Sequence, residues 1–532
     1  MMARLEIRNS LHRFFAKIQM YKGFGRPKVL HALIVIFAEF FAWGLLTTPT
    51  ITALKQTFPG QTLMINGLIW GIKGTLSFLM SPPIGYFSDV FGRKPFLLIT
   101  VLFTCLPIPV MFISSWWFFV MIALSGLFSV TFSVVFAYVA DLTTGPKRSS
   151  AYGQVSATFA ASLIISPALG AYMSKVYGDN MVILLATVVA ALDVLFILFI
   201  MPESLPEKLR SPQVSMWEQA APLSTMRKIG RDFMIWTLCL TVFLSYLPEA
   251  GQYSCFFVYL KLIIGFTEEQ VATLIAFVGI LSVLAQTILM TYLIDKYGGK
   301  ATILAGLLMQ AAQLLLLGFF QRPWMMWICG IIASFSSITY PAISAYISSY
   351  ADADKQGLVQ GLITGVRSLC GGIGPAMFGL LFNIFDVDMY EEIKANPINP
   401  HTAQDILKPF IDSGTGPAVL DTQHQHAIDH IPQPLGVANP HTHANNSWIV
   451  GPPFLFGSIL VILAAIAATF IPDTIMPYRR SPSNRSATPT TSYYRYTTVA
   501  AGSNFENGNI PTIVDPSTEN GPNCELLEDL ED

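Results

Sequence analysis

The sequence predicts an all-α membrane protein: twelve transmembrane helices in two six-helix pseudo-repeats. Three observations carry that expectation. Charged residues make up 12% of the 532-residue chain and hydrophobic residues 53%, whereas a soluble domain holds about 25% charged residues. Apolar runs recur at close to the roughly 20 residues that cross a bilayer as a helix. One spacing of Tyr, Gly and Pro returns at a fixed offset. The short alternating segments of a membrane β-barrel are not seen.

The spans fall at about 29–54, 63–87, 95–113, 116–141, 149–176, 181–201, 233–262, 268–294, 301–320, 323–350, 356–383 and 449–471. Residues 1–28 form a basic, amphipathic cytosolic N-terminus, 202–232 a cytosolic linker and 473–532 a polar cytosolic tail. The first bundle covers 29–201 and the second 233–472, with a non-cytosolic loop at 384–448. With the N-terminus in the cytosol, 23 of the 31 Lys and Arg are cytosolic, six lie opposite, and two, Lys73 and Arg367, lie inside spans. That bias places both termini in the cytosol, of either the plasma membrane or an endomembrane.

The internal repeat is read from three residues. Tyr138, Gly153 and Pro167 are spaced 15 and 14 apart, and Tyr346, Gly361 and Pro375 repeat both spacings at an offset of 208. GYFSDVFGRKP, from Gly85, is echoed near an offset of 206 by TYLIDKYGGKA, which holds Asp295, Lys296, Gly298 and Lys300. MPES after span 6 pairs with IPDT after span 12 at an offset of 270, which leaves about 62 extra residues in the second half. Two parallel six-helix repeats imply the plan of a secondary transporter.

This plan resembles the major facilitator superfamily, whose loop between helices 2 and 3 reads G-x-x-x-D-[RK]-x-G-[RK]-[RK]. Gly85, Asp89, Gly92, Arg93 and Lys94 match it; Val90 departs from it, and Thr291 replaces the glycine in the second copy. EFFAWGLLTTP, FSVTFSVVFAYVAD, YGQVSATFAASL, PESLPEK and YLPEAGQYS are similar to the hippocampus-abundant-transcript group, often called sugar-transporter-like and related to tetracycline–proton antiporters. The resemblance implies transport of a small organic solute, sugar-like or amphiphilic, by alternating access. Proton-coupled export and a non-transporting receptor or sorting scaffold are the alternatives.

GYFSDVFGRKP is expected to be a gating latch. Asp89 at a membrane boundary suits the positive N-terminal end of a helix, and the resemblance implies that this is helix 11, in the other half. Arg93 can pair with Asp141 or Glu203. Asp295 and Lys296 would form the second copy. The alternative is an ordinary surface pair, worth under about 1 kcal/mol.

An ionisable residue at the bilayer centre costs roughly 2.5–3.5 kcal/mol on insertion scales. Glu39 and Glu249 lie mid-span, 210 apart, on helices that the resemblance places around a central cavity. Two carboxyls there can carry protons, since burial favours the neutral form, or bind a solute; a static hydrogen bond is the plain alternative. Arg367 and Lys73 are the counter-charges, and Asp193, on helix 6, which the resemblance places at the periphery, is read as structural, pairing with a neighbour. Ile122 stands where many proton-coupled members have an arginine. Trp43, Tyr138, Tyr246, Gln252, Tyr253 and Tyr340 are the polar and aromatic candidates for the cavity, and packing explains them equally well.

Five of the six cysteines lie in apolar runs, without redox or metal spacing, and read as small buried hydrophobes. No nucleophile–base pair appears, so neither an enzyme nor a cofactor is predicted, and no basic block suggests nucleic acid. Six of the eight histidines lie in the 384–448 loop; a solvated loop is preferred to a metal site. Asn445-Asn446-Ser447 is a glycosylation sequon. The Pro/Ser/Thr-rich tail is expected to be disordered, and its YTTV and Leu-Leu motifs suggest sorting adaptors as partners.

Overall fold

Helix formation follows the apolar runs, and the breaks follow glycine, proline and short polar interruptions. The computed structural model describes residues 23–59, 62–144, 146–206, 232–262, 264–319, 322–352, 355–385 and 451–472. The His-rich loop, Asn445 and the tail motifs lie outside the described residues. Among these, sixteen α-helices and no strand occur. The first half holds α1 (Val29–Leu45), α2 (Thr47–Thr57), α3 (Thr62–Phe91), α4 (Arg93–Cys105), α5 (Pro107–Val110), α6 (Ser115–Ser125), α7 (Thr131–Leu142), α8 (Pro146–Tyr177) and α9 (Asp179–Leu195). The second holds α10 (Phe233–Leu262), α11 (Glu268–Leu284), α12 (Met290–Phe319), α13 (Pro323–Ser336), α14 (Thr339–Tyr350), α15 (Gln356–Ile384) and α16 (Pro452–Thr469).

Several expected spans are interrupted. The first bends by 42° between α1 and α2. Span 4 is broken between Ser125 and Thr131, and span 10 between Ser336 and Thr339. Eight stretches among the described residues are long and apolar enough to cross a membrane, or nine when the bent pair counts as one. One of them, Glu269–Phe319, has 51 residues, far more than the roughly 20 a crossing needs. It is broken at Gly298, whose φ of 85° and ψ of 169° leave the helical region. Gly92, its repeat partner, has φ 102° and ψ 162° and caps α4. Both glycines sit in the left-handed half of the map that side chains avoid, so the motif turns the chain in the same way twice.

The repeat extends to individual hydrogen bonds. Tyr138 Oη donates to the Pro202 carbonyl at 3.1 Å, and Tyr346 Oη to that of Pro472 at 2.5 Å. Tyr152 Oη donates to the Phe136 carbonyl and Gln360 Nε2 to that of Ser344, both at 2.9 Å. Tyr138 and Tyr346, Tyr152 and Gln360, and Phe136 and Ser344 are each 208 apart, and Pro202 and Pro472 are 270 apart. Arg148 Nη2 bonds the carbonyls of Ala140 and Thr143, and Gln356 Nε2 those of Ser348 and Ala351, again 208 apart throughout. Gln360 Nε2 also donates to Tyr152 Oη at 3.2 Å, which joins the equivalent residues to each other.

The halves meet along α3 and α15, where small residues let two backbones approach. A Cβ on Gly85 would lie 2.1 Å from the Gly357 carbonyl oxygen, and one on Gly74 2.5 Å from that of Ser368. Ser77 Oγ bonds Ser368 Oγ at 3.0 Å in the same seam. The repeated glycines act alike: a Cβ on Gly361 would lie 2.5 Å from the Ser81 oxygen, and one on Gly153 2.2 Å from that of Gln286.

Gly361→Ala should therefore wedge the seam open and cost about 1–3 kcal/mol, the usual range for overpacking. Gly371→Ala, where a Cβ meets nothing within 4 Å, should cost nothing. Melting temperatures of the two detergent-solubilised variants compare them directly; equal melting would contradict the close packing.

Candidate functional site

The GYFSDVFGRKP turn forms a buried ionic cluster. α3 ends at Phe91, Gly92 reverses the chain, and α4 starts at Arg93. Asp89 accepts hydrogen bonds from the Gly357 and Leu358 amides, at 2.8 Å each, in the first turn of α15. Those amides have no acceptor within their own helix, and the helix dipole favours an anion there. Arg93 Nη1 lies 2.6 Å from Asp89 Oδ1, and Arg93 Nε 3.0 Å from Asp141 Oδ2. Asp89 and Arg93 are both fully buried.

Glu203 caps α4: its carboxylate accepts from the amides of Arg93 at 2.8 Å and Lys94 at 3.1 Å. Ser204 Oγ donates to Asp141 at 2.9 Å and closes the ring. Gly85 lies one turn before Asp89 and gives α15 its close approach. The second copy is different. Asp295 and Lys296 are exposed, and Lys296 Nζ donates to Tyr292 Oη at 3.0 Å. The expected mirror-image latch is not assembled. Four residues after Asp89 stands Arg93, but four after Asp295 stands Gly299, so the guanidinium that meets Asp89 has no counterpart at that position.

Farther along α15, the Arg367 guanidinium stacks on aromatic faces. It lies 4.1 Å from the Tyr340 ring centroid, 4.6 Å from Tyr246 and 5.4 Å from Phe132. Phe132 belongs to the first half and the tyrosines to the second, so the cage straddles the two. Phe136 joins it, with its ring 6.0 Å from Tyr340. Arg367, Tyr246, Tyr340 and Glu249 are each half-buried.

The two mid-span glutamates do not face one another. Glu39 is buried inside the first half, where its Oε1 accepts from Thr104 at 2.8 Å and Thr131 at 3.1 Å. Its Oε2 is buried without a hydrogen-bond partner among the described residues. Glu249 meets Gln310 Nε2 at 3.4 Å. Thr104 and Gln310 are 206 apart, so each acid turns to the same helix of its own half. The expectation of two acids facing one cavity is corrected for Glu39, because α4 and α7 supply hydroxyls inside the bundle.

Asp193 is also corrected. It is 2% exposed, neither oxygen has a hydrogen-bond partner among the described residues, and it lies within electrostatic range of Glu39. The expected pairing with a neighbour is not formed by hydrogen bonds among the described residues, and the carboxyl is buried in the first half. Tyr138 is withdrawn from the cavity candidates, being wholly buried on Pro202. Tyr253 is 66% exposed, Gln252 is buried, and Trp43 lies under the Lys73 ammonium at 5.0 Å.

The profile of the Major Facilitator Superfamily matches residues 32–375. The chain belongs to this superfamily. It is 54% identical over 467 residues to the human Hippocampus abundant transcript 1 protein, covering 87% of this chain and 88% of that protein. With the human Hippocampus abundant transcript-like protein 1 it shares 52% over 456 residues, 85% and 82% of the respective chains. Among solved structures, that of the human organic anion transporter MFSD10 (TETRAN) superposes with a TM-score of 0.63 at 19% identity, covering 83% of this chain and 98% of that one. The fold is thus that of a major facilitator.

In this superfamily member, the residues that sequence reasoning missed are the hydrogen-bonding neighbours: Ser88, whose Oγ accepts from Arg93 Nη1 at 2.8 Å, with Thr104, Thr131, Arg148, Tyr152, Gln356 and Gln360. The 208 offset relates Arg148 to Gln356 and Tyr152 to Gln360, and it could have found both pairs. The same offset relates Thr131 to Thr339; Thr104 carries no such signal.

Arg93→Ala would strand Asp89 and Asp141 without their shared cation. Losing one member of a buried pair costs about 3–5 kcal/mol. Asp89→Asn, which keeps an acceptor for the α15 amides, should cost less. Thermal unfolding of the purified variants should rank them in that order; the reverse ranking would mean that Arg93 is dispensable to the cluster.

Proposed function

We propose that this chain moves a small organic solute, sugar-like or amphiphilic, across a membrane by alternating access. It does so as a twelve-span carrier with repeats at 29–201 and 233–472 and both termini in the cytosol. The observation that carries this reading is that one helix, α15, holds both devices. Its first turn receives Asp89 from the other half, and Arg367 lies ten residues farther on. At 1.5 Å per residue that is about 15 Å, half the roughly 30 Å hydrocarbon core. The cage would therefore sit near the midplane, where transporter sites lie between repeats, and the latch at the cytosolic end.

In this mechanism the Asp89 cluster holds the cytosolic ends of α3 and α15 together. Solute in the crevice between Phe132, Tyr246, Tyr340 and Arg367 shifts the balance between the halves. Release of the Asp89–α15 contacts lets them rock apart. A closed latch favours one conformation only by its differential interactions with the two states.

Proton coupling is a second reading, favoured by the unpartnered, buried Oε2 of Glu39. A carboxyl held by two hydroxyls at one oxygen and free at the other can take up a proton there and hand it on when the bundle moves.

Two results would check these readings. Asp89→Asn should slow flux in reconstituted vesicles several-fold while abundance at the membrane is unchanged; undiminished flux would reject the latch. For coupling, Glu39→Gln and Glu249→Gln should abolish gradient-driven uptake yet keep exchange. If both variants still accumulate solute uphill, these acids do not couple protons.

A further inference from the structure

Deepening that reading, and resting on it, the geometry points to an organic anion as the solute, bound through its carboxylate or sulfonate to the edge of the Arg367 guanidinium. The argument begins with what Arg367 lacks. No carboxylate among the described residues lies within the 4.0 Å of an ion pair. Glu249 is within longer electrostatic range, but its Oε2 is turned to Gln310. Glu39 is held inside the first half by Thr104 and Thr131. A guanidinium without a carboxylate in contact is costly to keep in a membrane span, and a cation retained there marks a functional position.

The aromatic neighbours meet only part of that cost. Tyr340, Tyr246 and Phe132 present ring faces at 4.1, 4.6 and 5.4 Å. Such contacts use the π-face of the guanidinium or its charge. The Tyr246 hydroxyl also takes one side-chain hydrogen bond from Arg367, but ring faces cannot satisfy the remaining N–H donors, which point outward in the plane. A planar fork of donors with its faces stacked and no carboxylate at its edge matches a bidentate anion. The same rings, with Phe136 beside them, offer an apolar wall for the rest of the molecule. An organic cation is repelled by Arg367, and a neutral sugar leaves its charge unmet. The cage includes Phe132 from the first half, so an anion seated on Arg367 would touch both repeats.

The test uses the purified full chain in detergent and four probes at one concentration: 1-naphthoate, 1-naphthamide, 1-naphthylmethylammonium and D-glucose. Naphthoate should raise the wild-type melting temperature by a few degrees, by mass action on the folded state; the other three should not. Arg367→Gln should abolish that shift, and without probe it should melt no lower than wild type, since a cation without a carboxylate in contact has been removed. Several results would overturn the anionic assignment. They are protection by the amide, cation or glucose equal to that by naphthoate, an undiminished naphthoate shift in Arg367→Gln, or a probe-free Arg367→Gln that melts far below wild type, which would make Arg367 a structural staple. Protection by a neutral or cationic probe that Tyr340→Ala removes would discard the anion and keep the crevice. No protection by any probe would count against both.

Discussion

The Asp89 carboxylate on the first turn of α15 is the contact on which the arrangement of the two halves rests. It is wholly buried, so it cannot fall back on water, and a buried carboxylate without partners is expensive. Its partners come from both halves: two α15 amides at 2.8 Å and the Arg93 guanidinium at 2.6 Å. Arg93 is in turn held by Asp141, which also receives Ser204. The cluster is satisfied only when α3, α4, α7 and α15 are all in place. Gly85 and Gly357 make that possible, since any side chain at either would collide with the facing backbone.

Around this contact the protein is close to symmetric in its backbone and asymmetric in its charges. Tyr152 and Gln360 make equivalent bonds to carbonyls 208 residues apart and then bond each other. Arg148 and Gln356 also make equivalent bonds, but Arg148 Nη1 additionally reaches the Ser348 carbonyl of the second half at 2.9 Å. At the motif itself the asymmetry is complete: Asp89 is buried in an ionic cluster, whereas Asp295 is exposed. Repetition supplies two similar bundles. The unequal charges make the two motif turns chemically different.

The intramembrane charges are partitioned in the same manner. Glu39 and Asp193 share the interior of the first half, and Lys73 lies between the Trp43 and Trp70 rings. Arg367 is left to the aromatic crevice between the halves. Of the intramembrane acids, Glu39 and Asp193 are withdrawn into the first bundle, and Glu249 remains within electrostatic range of Arg367.

The sequence by itself determined the class, the repeat and the turn. Composition sets the solvent in which helices are stable, the shared Tyr–Gly–Pro spacing reports duplicated geometry, and Gly92 and Gly298 mark the positions where the chain must leave helical space. These are local properties, readable wherever the residues stand. Which way a mid-span side chain turns is not local. Glu39 and Glu249 look alike as isolated acids in apolar runs, and only α4, α7 and α12 decide what each one meets. Tyr138 and Tyr340 are both aromatic alcohols on equivalent stretches, yet one is buried on a carbonyl and the other walls the crevice. The cage around Arg367 draws on α7, α10, α14 and α15. Such details depend on surfaces brought together from distant parts of the chain, and so only the tertiary structure decided them.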